Sequence, residues 1–310
     1  MAWSAADIPD LTGTVAVVTG ANGGLGLEVA RELARKGAHV MMAVRDPVKA
    51  EAARTSILED IRGASVALRP LDLASLASVR EAAAQILGAH RRVDILVNNA
   101  GVMATPERRT EDGFELQLGV NHLGHFALTA LLLPALLRSD DARVVSVTST
   151  GRHSPGELDP DDPHLEGRYE PWRAYGQSKL ANVRFALELD ARFRAAGARA
   201  RSIVVHPGFV NTDLQARSVR ATGGGRSQRL FRAGVVRFGM SPARGALSLL
   251  RAATDPNAEG GALYTPRWVN WGPPVRRPLF RRARDPAARA TLWEVSESET
   301  GIRFDVTDPG

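Results

Sequence analysis

The 310-residue chain carries 40 basic and 34 acidic side chains, a net charge of +6, and 44% of its residues are hydrophobic. That is enough apolar material for a sizeable core in one large domain or two small ones. There is no cysteine, which excludes disulfides, thiolate nucleophiles and cysteine metal sites. The opening Met1 to Asp7 has no basic head and no apolar run, and the longest apolar stretch, Phe126 to Leu137, is short and holds Pro134. Neither a signal peptide nor a membrane span is expected, and a cytoplasmic location follows as the expectation. The positive charge is scattered arginine, so nucleic acid is not an expected partner. Arg276, Arg277, Arg281, Arg282, Arg284 and Arg289 cluster near the end and read as a solvated tail.

In chain order, Thr14 to Val18 is a short apolar run ending at glycines and reads as a buried strand. Gly24 to Lys36 is amphipathic, with Leu25, Val29 and Leu33 on one face, and Gly37 stops it. A strand at Ala38 to Val44, a helix opened by Asp46-Pro47, a strand at Ser65 to Leu71 and a helix capped by Ser75 and reaching about Ala89 follow. Val93 to Val97 is a fourth strand. One long apolar helix is expected over Phe114 to Leu137, then a strand at Arg143 to Val147, a helix over Trp172 to Ala196 and a strand at Arg201 to Val205. Strands apolar throughout, alternating with helices, imply a parallel sheet covered on both faces, an α/β doubly wound fold. The segment 214–240 has little apolar periodicity and contains Gly223-Gly224-Gly225, and reads as a loop or substrate lid.

The first strand runs into Thr19-Gly20-Ala21-Asn22-Gly23-Gly24-Leu25-Gly26. Glycines here allow a tight turn and let a pyrophosphate approach the helix N-terminus, where free N–H groups favour anions. Asp72-Leu73 follows the third strand, at the sheet edge where ligands bind; Asp72 could accept from an adenine amine or serve as a helix cap. Asn98-Asn99-Ala100-Gly101 ends the fourth strand and could be an ordinary turn. At the end of the second strand a carboxylate would bind a ribose 2′-hydroxyl and an arginine a 2′-phosphate. The run is Ala43-Val44-Arg45-Asp46, so Arg45 points to NADP(H) over NAD(H), and Asp46 reads as an N-cap before Pro47.

Tyr175 precedes Lys179 by four residues. With three tyrosines and three lysines in the chain, chance supplies that spacing only about 0.03 times. On a helix the two share a face, where the ammonium would stabilise a phenolate and lower the tyrosine pKa. A phenol so tuned can give its proton to a carbonyl oxygen; the alternative is an idle helix pair.

Together these motifs resemble the short-chain dehydrogenase/reductase family. The matching residues are Thr19 to Gly26, Asp72-Leu73, Asn98 to Gly101, Asn121 in Val120-Asn121-His122, Ser149 in Val147-Thr148-Ser149, Tyr175 to Lys179 and His206-Pro207-Gly208. Asn121-His122-Leu123-Gly124-His125-Phe126, Ser178-Lys179-Leu180-Ala181-Asn182-Val183 and Leu292-Trp293-Glu294 are similar to its retinol dehydrogenase and WW-domain oxidoreductase branch. The resemblance implies a single Rossmann-type domain of about seven strands in the order 3-2-1-4-5-6-7. Its core would span 10–265, with an inserted loop at 152–170, the lid at 214–240 and a C-terminal extension at 267–310.

It also implies roles. Tyr175 would exchange the proton with the carbonyl or alcohol oxygen, and Ser149 would orient that oxygen. Lys179 would lower the Tyr175 pKa and hold the nicotinamide ribose, and Asn121 would position a water linking Lys179 to solvent. Gly20, Asn22, Gly24, Leu25, Gly26, Arg45, Asp72, Leu73, Asn99, Ala100, Gly101, Pro207, Gly208, Val210 and Thr212 would contact the cofactor. His122, His125 and His206 read as structural. Glu157, Asp159, Asp161 and Asp162, among prolines, read as an exposed acidic loop, and no metal is expected. The expected activity interconverts a carbonyl and an alcohol on a lipophilic small molecule. A non-catalytic NADP(H)-binding regulator and a C=C reductase are the alternatives. Pairing through the helices that carry Asn121 and Tyr175 would give a homo-dimer or tetramer, although the tail from Arg267 to Gly310 could cap that surface.

Overall fold

The computed structural model describes residues 2–154, 156–211 and 239–307. The apolar runs form seven parallel strands: β1 (Val15–Thr19), β2 (His39–Val44), β3 (Ser65–Pro70), β4 (Ile95–Asn98), β5 (Ala142–Val147), β6 (Ala200–Val205) and β7 (Leu263–Pro266). Their order is the expected 3-2-1-4-5-6-7. An eighth strand, β8 (Pro274–Arg277), extends that edge and runs antiparallel to β7, with Leu263 opposite Arg277 and Pro266 opposite Pro274.

Successive side chains on a strand point to opposite faces, and the sheet uses this to build two cores. Val17, Met41, Leu96 and Val144 enter one, and their neighbours Val18, Met42, Val97 and Val145 enter the other. All eight are fully buried, each stabilising the fold by roughly 1.5–3 kcal/mol. Helices α1 (Gly24–Arg35), α2 (Pro47–Asp60) and α3 (Leu76–Ala89) connect the first strands. Their starts follow local chemistry: Asp46 accepts from Lys49 N and precedes Pro47, and Ser75 caps α3, as helix N-termini prefer.

The single helix expected over Phe114 to Leu137 is broken. It consists of α4 (Leu116–Leu118), a π-helical turn at Gly119–Leu123, α5 (Gly124–Leu131) and α6 (Leu133–Leu137). Glu115 caps its start, accepting from Gln117 N and Leu118 N at 2.8 and 2.7 Å. Pro134 has no N–H to continue the ladder. The π turn inserts an extra residue around Asn121, whose side chain bonds outside the helix. Beyond β5 come the long α7 (Pro171–Ala195), then α8 (Pro242–Thr254) beside α1, and α9 (Pro286–Thr300).

The tail is folded, and Arg276, Arg277, Arg281 and Arg284 are exposed on it, as expected of solvated charges. Arg276 pairs with Glu259, Arg282 with Glu157 and Arg289 with Glu188. α9 packs on α7 and the π turn, and Trp293 and Phe304 join Phe126 and Phe185 in one aromatic cluster. The face through which the helices of Asn121 and Tyr175 were expected to pair is covered by the chain's own C-terminus. The 152–170 loop is pinned to this extension through His164 Nε2 and Glu299 at 3.0 Å. Its acids are paired inside the chain: Asp159 and Asp162 with Arg168, and Glu157 with Arg184. No described helix is long and apolar enough to cross a membrane.

Candidate active site

The turn after β1 is built around glycine. Gly20 and Gly24 hold φ of +66° and +54°, a region costly for other residues. At Gly26 a methyl group would lie 2.5 Å from Gly20 O and 2.6 Å from Asn99 Nδ2. The exit of β4 braces the turn: Asn99 N and Ala100 N donate to Thr19 Oγ1 at 2.9 and 3.0 Å, and Asn99 Nδ2 donates to Thr19 O. The other described helices longer than ten residues begin with a side-chain cap from Asp46, Ser75, Glu170, Ser241 or Asp285. At α1 the capping residue is Gly23, with no side-chain bond and nothing within 4 Å of where its Cβ would stand. Free N–H groups, the helix dipole and an open cradle fit a pyrophosphate. Asn22 and Leu25 are half-buried in this turn, and Leu25 reaches α8, where a methyl on Gly245 would be 2.9 Å from its Cδ2.

Arg45 and Asp72 face each other at 3.6 Å across the ends of β2 and β3, with Arg45 69% exposed. Asp72 Oδ1 accepts from Ala74 N, so half of it makes the local turn and Ser75 caps α3. Leu73 packs under Gly124, whose added Cβ would meet Leu73 O at 2.6 Å.

Tyr175 and Lys179 lie on α7, both buried. Ser149, just past β5, lies beside Tyr175 across Gly151, where a Cβ would stand 3.7 Å from Ser149 Oγ, and its Oγ accepts from Gly151 N at 3.2 Å. Gly151 must be small, because a methyl there would sit 2.8 Å from Tyr175 Cε1. Lys179 Nζ donates to Val147 O at 3.3 Å and stands 5.9 Å from the Tyr175 ring centre. Beside Gly101, a Cβ would lie 3.5 Å from Lys179 Nζ and 2.9 Å from Asn121 Oδ1. The structure therefore brings Ser149, Tyr175, Lys179, Asn121 and Gly101 together.

One expectation is corrected here. Burial pushes the Tyr175 phenol up to about 12, against a smaller opposing pull from Ser149. Burial also pushes Lys179 down to about 8. Spacing placed the lysine near the tyrosine, but desolvation outweighs that proximity. The Asn121 side chain is engaged with protein: Oδ1 accepts from Val102 N, and Nδ2 donates to Val102 O and Ser178 Oγ. Its amide is a clasp holding the π turn.

At the far side, Gly208 has φ +88°, and a methyl would meet Asn270 O and Met240 Cε at 2.7 Å. Val210 pairs with Met240 as a parallel bridge, so the backbone before and after the proposed lid is joined. Pro207 follows β6. Thr212 and most of the 214–240 lid lie outside the described residues. His206 is buried and pushed down to about 3 by desolvation, in keeping with a packed neutral ring.

Sequence reasoning missed several supporting residues. His125 joins the two halves, Nε2 to Thr19 Oγ1 at 2.9 Å and Nδ1 to Asn121 O at 3.1 Å. Asn182 Nδ2 donates to the same Val147 carbonyl as Lys179, and Thr148 Oγ1 donates to Lys179 O. Their offsets offered a signal: His125 is four residues from Asn121, and Asn182 is one turn beyond Lys179.

A family model described as short chain dehydrogenase matches residues 14–222. The chain is 40% identical to Retinol dehydrogenase 12 of Homo sapiens over 297 residues, covering 95% of this chain and 89% of that protein. It is 48% identical to Retinol dehydrogenase 13 of Homo sapiens over 212 residues, 68% of this chain and 62% of that protein. A crystal structure of an uncharacterized protein from Mycobacterium Paratuberculosis superposes with a TM-score of 0.80 at 40% identity, covering 98% of this chain and 99% of that one. A short chain dehydrogenase from Shigella flexneri complexed with NADP superposes at 0.60 with 25% identity, covering 82% and 97%. The chain belongs to the short-chain dehydrogenase family of oxidoreductases, in its retinol dehydrogenase-like branch.

Proposed function

We propose that the chain interconverts a carbonyl and an alcohol on a lipophilic small molecule with NADP(H), Tyr175 exchanging the proton. The observation that carries this reading is the meeting of Ser149 Oγ and the Tyr175 ring around Gly151, with Lys179 Nζ 5.9 Å from the ring centre. Tyr175 enters a reduction as a neutral phenol, since burial holds it protonated at neutral pH. Ser149, fixed by Gly151 N, donates to the same substrate oxygen and orients it. Such a preorganised donor contributes roughly 3 kcal/mol to lowering the barrier. Lys179 keeps a positive charge under the tyrosine below about pH 8 and binds the cofactor ribose.

The nicotinamide, when bound, supplies or accepts the hydride. Gly20, Gly24, Gly26 and the uncapped start of α1 would hold its pyrophosphate, and Asp72, Leu73, Asn99, Ala100, Gly101, Pro207, Gly208 and Val210 would line its length. Arg45, exposed at the end of β2, supports NADP(H) over NAD(H) through charge-assisted bonds to a 2′-phosphate. Met103, Ala104 and Trp172 pack beside Tyr175, an apolar wall that suits a lipophilic substrate. The retinol named for Retinol dehydrogenase 12 and Retinol dehydrogenase 13 is of that class. A homo-dimer or tetramer would form through faces other than the one covered by α9.

The test is turnover of aliphatic, aromatic and steroid ketones with NADPH, beside Tyr175→Phe. Wild-type turnover with loss of at least about 100-fold in the variant is expected. Equal rates for the two proteins would remove Tyr175 from the reaction. No turnover of any carbonyl by a protein that still binds NADPH would sink the activity itself.

A further inference from the structure

The turn after Ser149 carries a charge that the proton-transfer scheme leaves unused. Arg152 is 5% exposed. Its Nη1 donates to Ser149 O at 2.8 Å, and its Nε is buried with no partner. No described carboxylate pairs with it, and burial alone acts on the guanidinium, pushing it down to about 10. Other deeply buried arginines differ: Arg143 meets Asp141 at 2.6 Å and Arg184 meets Glu157 at 2.5 Å. A buried, unpaired cation costs several kcal/mol of stability and is rare for that reason.

Its surroundings face the reaction. The preceding residue, Gly151, lies against the Tyr175 ring. Arg152 acts electrostatically on His206 after β6 and on His153, so it sits between the exits of β5 and β6, at the sheet edge where ligands bind in such folds. Among the described residues no anion acts on it. Both histidines are held down by burial, and Glu157 is shared by Arg184 and Arg282. Glu157, the carboxylate that ends this segment, is thus committed to Arg184 and Arg282 rather than to Arg152.

We propose that Arg152 receives the carboxylate of an amphipathic substrate whose carbonyl or hydroxyl group is presented to Ser149 and Tyr175. With Nη1 committed to Ser149, the Nε edge is the side that a carboxylate oxygen meets, in the geometry that guanidinium favours. Specificity then arises from an unmet buried charge: a neutral analogue leaves Arg152 unpaired, and an acid satisfies it. The substrate class is an oxo acid or hydroxy acid with an apolar chain. The role of Arg152 rests on the carbonyl–alcohol reading of the site, but its charge recognition is measurable without turnover.

The experiment titrates aliphatic oxo acids of increasing chain length, and their methyl esters, into the NADPH-loaded enzyme by calorimetry, and follows NADPH oxidation for the same compounds. At the best length, wild type should bind the acid about 10-fold or more tightly than the ester, as a charge-assisted bond provides. Arg152→Gln should bring that ratio to near one with ester binding and NADPH affinity kept, and should melt no lower than wild type because it removes an unpaired charge. Arg152→Lys, which keeps the charge without the fork, should retain part of the preference and covers the case in which the Gln variant misfolds. Equal binding of acid and ester by wild type at every length overturns the assignment, as does a parallel loss of both in Arg152→Gln. Reduction of the esters without acid preference removes Arg152's role and leaves the activity standing. Acid binding through Arg152 without turnover of either compound does the reverse.

Discussion

Asn121 and Val102 exchange two hydrogen bonds, Val102 N donating to Oδ1 at 2.8 Å and Nδ2 donating to Val102 O at 3.0 Å. The exchange ties the π turn to the chain leaving β4, directly after Gly101. Asn121→Ala would leave both main-chain groups of Val102 without these partners, at a cost of about 1–3 kcal/mol. Asn121→Asp keeps the acceptor but sets a carboxylate against Val102 O and should destabilise at least as much. Both variants should lower the urea midpoint, and turnover should fall because Gly101 lies between Asn121 and Lys179. Unchanged stability in the Ala variant would show that the clasp contributes nothing.

Gly26 and Gly23 stand three residues apart and should respond in opposite ways. At Gly26 a methyl collides with Gly20 O and Asn99 Nδ2, and at Gly23 it meets nothing within 4 Å. Gly26→Ala should cost roughly 1–3 kcal/mol through overpacking and abolish cofactor binding, because the turn itself must move. Gly23→Ala should melt within a few degrees of wild type. Thermal denaturation of the two variants decides the matter, and equal melting temperatures would mean that the turn relaxes around the methyl.

The glycine turn was legible because only certain residues permit such backbone, and the strand order because buried parallel strands are apolar throughout. The break at Gly119–Leu123 was not. Its residues are acceptable in a helix, and the cause is the pairing of Asn121 with Val102 and Ser178, groups 19 and 57 positions away. The packing of the tail was hidden for a similar reason: Arg282 looks unpaired until the fold brings Glu157, 125 residues earlier, against it. The Tyr175 phenol shows the limit most clearly. A spacing of four residues gives the neighbour, but burial, which sets the direction of the pKa, is a property of the folded chain.

Stability should fall in acid. Burial pushes His122, His125 and His206 down to about 3, 4 and 3, whereas in the unfolded chain each titrates near pH 6.5. Between those values the unfolded chain binds more protons, so lowering the pH favours it. The histidines' contribution is complete above pH 6.5 and is lost toward pH 3–4, by about 2 kcal/mol for each at pH 5. Glu115 opposes this. Desolvation raises it to about 7, so the folded state takes up its proton first and gains as pH falls from 7. A net loss of about 3 kcal/mol between pH 7 and 5 should remain. Equal urea midpoints at the two pH values would contradict neutral burial of the three rings.

Arg45 should set cofactor preference. It is exposed, and its contact with Asp72 is loose at 3.6 Å, so a phosphate could compete for it. Arg45→Ala should raise KM for NADPH by about 10-fold or more, the worth of a charge-assisted bond, and change KM for NADH by less than about 3-fold. Steady-state kinetics with both cofactors gives the ratio, and an unchanged ratio would remove Arg45 from phosphate recognition.

Trp293 should be among the costliest positions to truncate. It is 2% exposed, its ring lies 5.3 Å from Phe126, 5.9 Å from Phe185 and 4.8 Å from Phe304, and the Arg192 guanidinium stands 4.0 Å above it. Trp293→Ala should cost about 3–5 kcal/mol, the range for deleting a buried aromatic. Arg192→Ala should cost about 1 kcal/mol, since a partly exposed cation over an indole contributes that much. Phe185 shares α7 with Tyr175 and Lys179, so loosening α9 uncovers apolar surface on the helix that holds both groups. The Trp293→Ala protein should therefore bind an environment-sensitive apolar dye and form higher-mass species in light scattering, while wild type does neither at the same concentration. A variant that keeps both its stability and its mass would show that α9 is an ornament on the domain rather than part of its core.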